Sequence, residues 1–149
     1  MYKKILFADD LSNRALKAMK EALSLARCFK AELTILNVRE DFLNKDEMVM
    51  LRVDVSHFQD DIKAKALAIK EKIRKDIITL DGDDVKTEII LREGKSRQNI
   101  VELAEELDAD MLILGSHGTS LLKDKLFGST AKSVIGNTKR SLLVVWTGE

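Results

Sequence analysis

Met111-Leu112-Ile113-Leu114-Gly115-Ser116-His117-Gly118 is the stretch whose reading decides the fold. Four apolar residues follow one another without a polar break and stop at a glycine. A strand with water on one side alternates apolar and polar residues, whereas a continuous apolar run implies cover on both faces, the habit of parallel sheets. Similar runs lie on either side of it: Lys3 to Ala8, Glu32 to Val38, Val85 to Leu91 and Ser141 to Trp146.

Between these runs the apolar period changes to that of helices. Ala15, Ala18, Ala22, Leu25, Ala26 and Phe29 recur at helical spacing, with Ser12 or Asn13 offering an N-cap. Ile62, Ala66, Ile69, Ile73 and Ile77 form one narrow stripe on a helix expected from about Asp54 to Leu80, the width of a helix lying on the surface of a sheet. Asp81-Gly82-Asp83 marks the turn after it. A helix is expected from Gln98 to Leu107, and another from about Ser129 to Asn137, after a loop from Ser116 to Phe127. The stretch from Arg39 to about Val53 has no clean period and reads as a variable connection. Strand and helix thus alternate from end to end. That order predicts an α/β fold, a mostly parallel five-stranded sheet with helices on both faces, in a single domain over 1–149.

Composition removes several classes of function. Lys plus Arg number 25 and Asp plus Glu number 25, so the formal charge is zero. A dedicated nucleic-acid binder draws its affinity from a basic face, so none is expected here. The lysines of the long helix are interrupted by Asp60, Asp61, Glu71 and Asp76 and read as a solvated face. The apolar opening from Ile5 to Ala8 is too short for a signal-peptide core, and no run approaches the roughly 20 residues that span a bilayer. A cytoplasmic protein without membrane contact is expected. The lone Cys28, among Leu25, Ala26 and Phe29, reads as a buried helix thiol.

In open α/β sheets, ligands sit beyond the carboxyl ends of the strands, where the winding reverses. Two strand ends carry unusual residues: the first ends in Asp9-Asp10, the fourth in Gly115-Ser116-His117-Gly118. After nine intervening residues Gly118 is followed by Gly128, Ser129 and Thr130, at the start of a helix. Glycines allow positive φ and close approach of a ligand to the main chain. A helix start offers unpaired N–H groups and a positive dipole end, both favouring phosphate. Hydroxyls at Ser129 and Thr130 add donors. The parts are those of a phosphate cradle; the alternative is a loop whose glycines only allow turns and whose Ser129 only caps a helix.

Other chemistry is missing from the pattern. No G-x-G-x-x-G follows the first strand, and Gly94-Lys95-Ser96 lacks the earlier glycine of a Walker A loop, since Ile89 stands there. His57 and His117 have no second ligand at zinc spacing, and no nucleophile–histidine arrangement can be argued. His117 reads as a residue that shapes the loop or touches solvent rather than a base.

With those residues in place, the sequence resembles the universal stress protein family. Gly115-x2-Gly118-x9-Gly128-Ser129-Thr130 is similar to its ATP-binding signature, and Lys4 to Ser12 to its first strand and acidic turn. Leu33 to Val38, Gly94 with Ile100, and Asp108 to Gly118 extend the likeness over nearly the whole chain. Ser141 stands where the family often has proline, and Glu40 to Ser56 has no counterpart. The resemblance implies a Rossmann-like sheet of order 3-2-1-4-5 and a homodimer. It implies ATP, commonly with Mg²⁺, with Ala8, Asp10 and Val38 at the adenine and Gly115, Gly118, Gly128, Ser129 and Thr130 at the ribose and phosphates. In that order Leu142 to Trp146 lies at a sheet edge, and a bare apolar edge invites a second chain. The expected function is an ATP-binding regulatory protein acting through partners. The alternative is a slow ATPase or phosphoryl-transfer enzyme using Asp9, Asp10 or His117.

Overall fold

The structure, a computed structural model, describes residues 1–40, 55–118 and 126–148. Five strands, β1 (Lys4–Ala8), β2 (Glu32–Arg39), β3 (Thr87–Glu93), β4 (Met111–Gly115) and β5 (Ser141–Val145), form one sheet in the order β3-β2-β1-β4-β5. Every pairing is parallel. Four helices connect them: α1 (Ala15–Phe29), α2 (Val55–Thr79), α3 (Ser96–Glu106) and α4 (Ser129–Asn137). This is the expected α/β fold, Rossmann-like and of the expected strand order.

Strand alternation divides the core in two. Ile5 and Phe7 of β1, Leu33 and Ile35 of β2, and Ile113 of β4 pack with Met19 and Leu23 of α1 and Ile73 and Ile77 of α2. Leu6, Leu36, Leu112 and Leu114 point the other way, to Ile100, Leu103 and Ala104 of α3 and Ala131 and Val134 of α4. Burial of each large side chain is worth about 1.5–3 kcal/mol, so both clusters are needed to hold the sheet.

Several local expectations are corrected. Cys28 is exposed, not buried. The buried stripe of α1 is Ala15, Ala18, Met19, Ala22, Leu23 and Ala26, and two steps of about 100° beyond Ala26 carry Cys28 to the outer face. Phe29 is also outside, edge-on to Tyr2 at 5.1 Å. Lys30, in the left-handed region at φ 52°, ends the helix by donating to the Ala26 and Arg27 carbonyls. Neither Ser12 nor Asn13 is the N-cap residue, which is Arg14, although Ser12 Oγ does accept the Ala15 N–H at 3.1 Å. The variable connection falls outside the described residues from 41 onward, as do residues 119–125. The side chain of His57 likewise lies outside the described part.

Candidate functional site

A cavity of about 250 Å³ opens at the carboxyl end of the sheet, where β1 has β2 on one side and β4 on the other. Its walls include the end of β1 with Ala8, Asp9 and Asp10, the end of β2 with Val38, Ser96 and Ile100 of α3, the β4 turn with Gly115 and Gly118, and the start of α4 with Gly128, Ser129 and Thr130. All eight residues singled out in the sequence therefore line one cavity. The adjacency of β1 and β4 is direct, with Phe7 opposite Ile113.

Hydrogen bonds fix the β1 end. Asp10 Oδ1 accepts the Ser12 N–H at 3.0 Å and the Ser12 hydroxyl at 2.6 Å, and the chain passes through a positive φ of 67° at Leu11. An aspartate supports such a turn by bonding the main chain two residues on. Arg14 then reaches across, its Nε donating to the Gly118 carbonyl at 3.0 Å and its Nη2 to the same oxygen. The turns after β1 and β4 are thus clamped together.

The glycines work by closeness, not by dihedral angle. Among the described glycines only Gly94 has a positive φ, which corrects the expectation for Gly115, Gly118 and Gly128. A Cβ on Gly118 would overlap Asp10 Oδ2. One on Gly115 would come within 3.0 Å of Thr147 Cγ2.

The β4 turn is tied to the strand beside it. Thr147 N–H donates to Ser116 Oγ at 2.9 Å, His117 N–H to Thr147 Oγ1 at 3.0 Å, and the Thr147 hydroxyl to the His117 carbonyl at 2.8 Å. Ser116 Oγ also bonds His117 Nδ1 at 2.9 Å. All three residues are buried, so His117 shapes the loop and does not touch solvent. Its ring meets Trp146 edge-on at 5.3 Å.

Opposite this turn, α4 begins without a side-chain cap. Its first backbone bond runs from the Lys132 N–H to the Gly128 carbonyl at 3.1 Å. The N–H groups of Ser129, Thr130 and Ala131 precede that bond, and all three residues line the cavity. Ser129 is the first helical residue, not its cap. The opposite wall is apolar, made of Ala8, Leu36, Val38, Ile100 and Leu114. One end of the cavity therefore suits a flat apolar group and the other an anion.

Asp9, next to Asp10, has a different setting. It is only 4% exposed, and its Oδ1 accepts the Leu11 N–H at 2.9 Å. Burial pushes its carboxyl up to about 6; the Leu11 N–H opposes this, Asp10 and Asp76 add to it, and Lys72 opposes it. Asp9 Oδ2 and Asn37 Oδ1 make no hydrogen bond with the described residues.

Sequence reasoning missed Arg14 and Thr147, whose contacts span 104 and 31 positions with no local signal. It also missed Glu40 and Ser96 on the cavity rim.

Fold and cavity together define an open parallel α/β protein with a ligand site at the reversal of strand order. The model of the universal stress protein family matches residues 1–145, and the chain belongs to that family. It is 31% identical to universal stress protein MJ0577 of Methanocaldococcus jannaschii, over 97% of this chain and 95% of that one. The solved structure of MJ0577 superposes with a TM-score of 0.71, covering 98% of this chain and 96% of that one at 30% identity. A universal stress protein solved in complex with cAMP has a TM-score of 0.71 at 22% identity, covering 98% of each chain. One from Archaeoglobus fulgidus in complex with dAMP has 0.62 at 18% identity, covering 97% of this chain and 98% of that one. Among the described residues no helix is long and apolar enough to cross a membrane.

Proposed function

We propose that this chain is a cytoplasmic, homodimeric regulatory protein that binds ATP in this cavity and acts through partners according to its nucleotide state. One observation carries the reading: the uncapped start of α4 and the glycine turn of β4 face one cavity whose other wall is apolar. Phosphates suit the N–H groups and hydroxyls of Ser129 and Thr130. Adenine suits the wall at Ala8 and Val38, with Asp10 at its border. The cAMP and dAMP bound by the two structural neighbours support a nucleotide in this fold.

Magnesium fits only as a companion of the phosphates. No group of three or more His, Cys, Asp or Glu side chains is gathered among the described residues. Mg²⁺ commonly keeps several waters and takes one or two carboxylates beside phosphate oxygens. Asp10 and Glu40 are the exposed carboxylates on the wall.

ATP acts in this reading as a bound effector, without rapid turnover. Fast hydrolysis needs a group that positions water in line with the leaving phosphate. His117 is buried and engaged by Ser116, Asp10 holds the Ser12 turn, and Asp9, at the cavity wall, is buried with its Oδ1 held by the Leu11 N–H.

Calorimetry tests the reading. ATP is expected to bind, and Gly118→Val, whose side chain would occupy the space of Asp10 Oδ2, is expected to abolish binding while circular dichroism still shows the fold. Ser129→Ala should be milder, losing about 1.5–3 kcal/mol for one hydrogen bond to a charged group. No heat with ATP, with and without Mg²⁺, would falsify it.

The dimer is proposed through β5. It forms a sheet edge, Leu142, Leu143 and Val144 are half-buried, and Trp146, just past the strand, is 47% exposed. Light scattering should give twice the chain mass at micromolar concentration, and Val144→Lys should shift it towards the monomer. A monomer mass for the unsubstituted chain defeats the dimer.

A further inference from the structure

Beside the cavity lies a second groove of about 450 Å³. It shares Glu40, Ser129 and Thr130 with the cavity, and its other walls are Gly94, Lys95 and Arg97. A turn at the end of β3 sets this arrangement. Gly94 adopts φ 119°, a conformation open to glycine, and its N–H donates to the Arg39 carbonyl at 2.9 Å. Glu40 Oε1 accepts the Ser96 N–H at 2.7 Å, so the acid of this wall is already engaged. The ends of β2 and β3 and the start of α3 are thereby joined beside the start of α4.

The arginine of this groove differs from the other described arginines. Arg14 is spent on the Gly118 carbonyl, Arg27 on Asp84, Arg74 on Glu71, Arg92 on Glu106 and Arg140 on Glu105 and Asp108, and Arg39 is engaged as well. Arg97 alone among the described arginines makes no ion pair or side-chain hydrogen bond with a described residue, and the Lys95 ammonium makes none either. Two uncommitted cations line a groove whose mouth is the pair of residues that would hold the first phosphates.

We infer that Lys95 and Arg97 form a subsite for the terminal phosphates, which makes this site select nucleoside triphosphates over monophosphates. The inference rests on the cavity being the nucleotide site. A phosphate chain that starts at Ser129 and Thr130 and leaves the apolar wall behind runs into this groove. A monophosphate ends before it. Charged hydrogen bonds to phosphate are the strong ones, and a guanidinium offers several donors in one plane. Here they form without breaking an existing pair.

The experiment is a set of dissociation constants for AMP, ADP and ATP, at two salt concentrations and with and without Mg²⁺. The variants are Lys95→Ala/Arg97→Ala and, as a control, Lys63→Ala on α2, across the sheet. ATP is expected to bind at least tenfold tighter than AMP, with the margin shrinking as salt screens it. The double variant should bring ATP close to AMP while leaving AMP unchanged, and the control should change neither. AMP and ATP binding equally to the unsubstituted protein overturns the inference and leaves the cavity reading standing. So does an ATP advantage that survives in the double variant. Binding of none of the three nucleotides overturns the cavity reading and this inference with it.

Discussion

Under α1 and α2 the sheet is covered as far as its carboxyl end, whereas under α3 and α4 the same end opens into a cavity. Both faces are read from the same strands, one residue out of step. On the covered face the β1 series runs Ile5, Phe7, Asp9 and the β2 series Leu33, Ile35, Asn37, all buried. On the open face it runs Leu6, Ala8 and Leu36, Val38, ending in smaller, half-buried residues. The lesson is that a strand end becomes a site on the face where its last residues are small and a helix begins. On the other face the same strand end becomes a buried polar plug.

The largest expected effect tests that plug. Asp9 holds its proton to about pH 6 in the folded chain against an ordinary value of 3.8, because burial disfavours its charge. The folded state therefore binds the proton more tightly than the unfolded state. The contribution of Asp9 to stability is full below about pH 4 and is lost as pH rises through about 6. The gap corresponds to at most about 3 kcal/mol. Asp9→Asn removes the charge, so it should raise the urea midpoint above that of the unsubstituted protein near pH 8 and lose that gain towards pH 4. An equal midpoint at both pH values would show that the plug carries no charge penalty.

The same contrast explains what could be read from the sequence. Apolar runs and helical stripes reveal which segments are strands and helices because each is a local, periodic consequence of burial. The Gly115, Gly118 and Gly128 spacing marks the open face because close approach to a backbone requires missing side chains at fixed positions. What stayed hidden is non-local. Arg14 on the Gly118 carbonyl and Thr147 against Ser116 and His117 join segments distant along the chain, and neither residue type is unusual where it stands. Cys28 was misread for the opposite reason: its apolar neighbours Leu25 and Phe29 suggested a buried stripe, yet Phe29 is itself exposed and packs on Tyr2. The Asp9-Asp10 pair read as one acidic turn, and only the alternation of the strand separates the buried acid from the exposed one, although both border the cavity.

The smallest effect concerns the open face, and its value lies in separating binding from stability. Gly128 sits at φ −69° and ψ 169°, which any residue adopts. A Cβ there would meet the Ser116 carbonyl oxygen at 3.4 Å and His117 Cα at 3.7 Å, ordinary contact distances. Replacing glycine by alanine at a compatible position stabilises by about 0.4–1 kcal/mol through the unfolded chain. Alanine is a poorer N-cap than glycine, by an amount of similar size. The two terms oppose each other, so Gly128→Ala should leave the melting temperature within a few degrees of the original. The added methyl nevertheless stands in the cavity wall, beside the N–H groups of Ser129 and Thr130. If phosphates approach the main chain there, ATP affinity should fall roughly tenfold, about 1.4 kcal/mol, without any loss of fold. Calorimetry and thermal melts on one preparation measure both quantities. Unchanged affinity in a protein of unchanged stability would mean that the glycine marks only a turn, and the open face would lose its strongest claim to be a phosphate site.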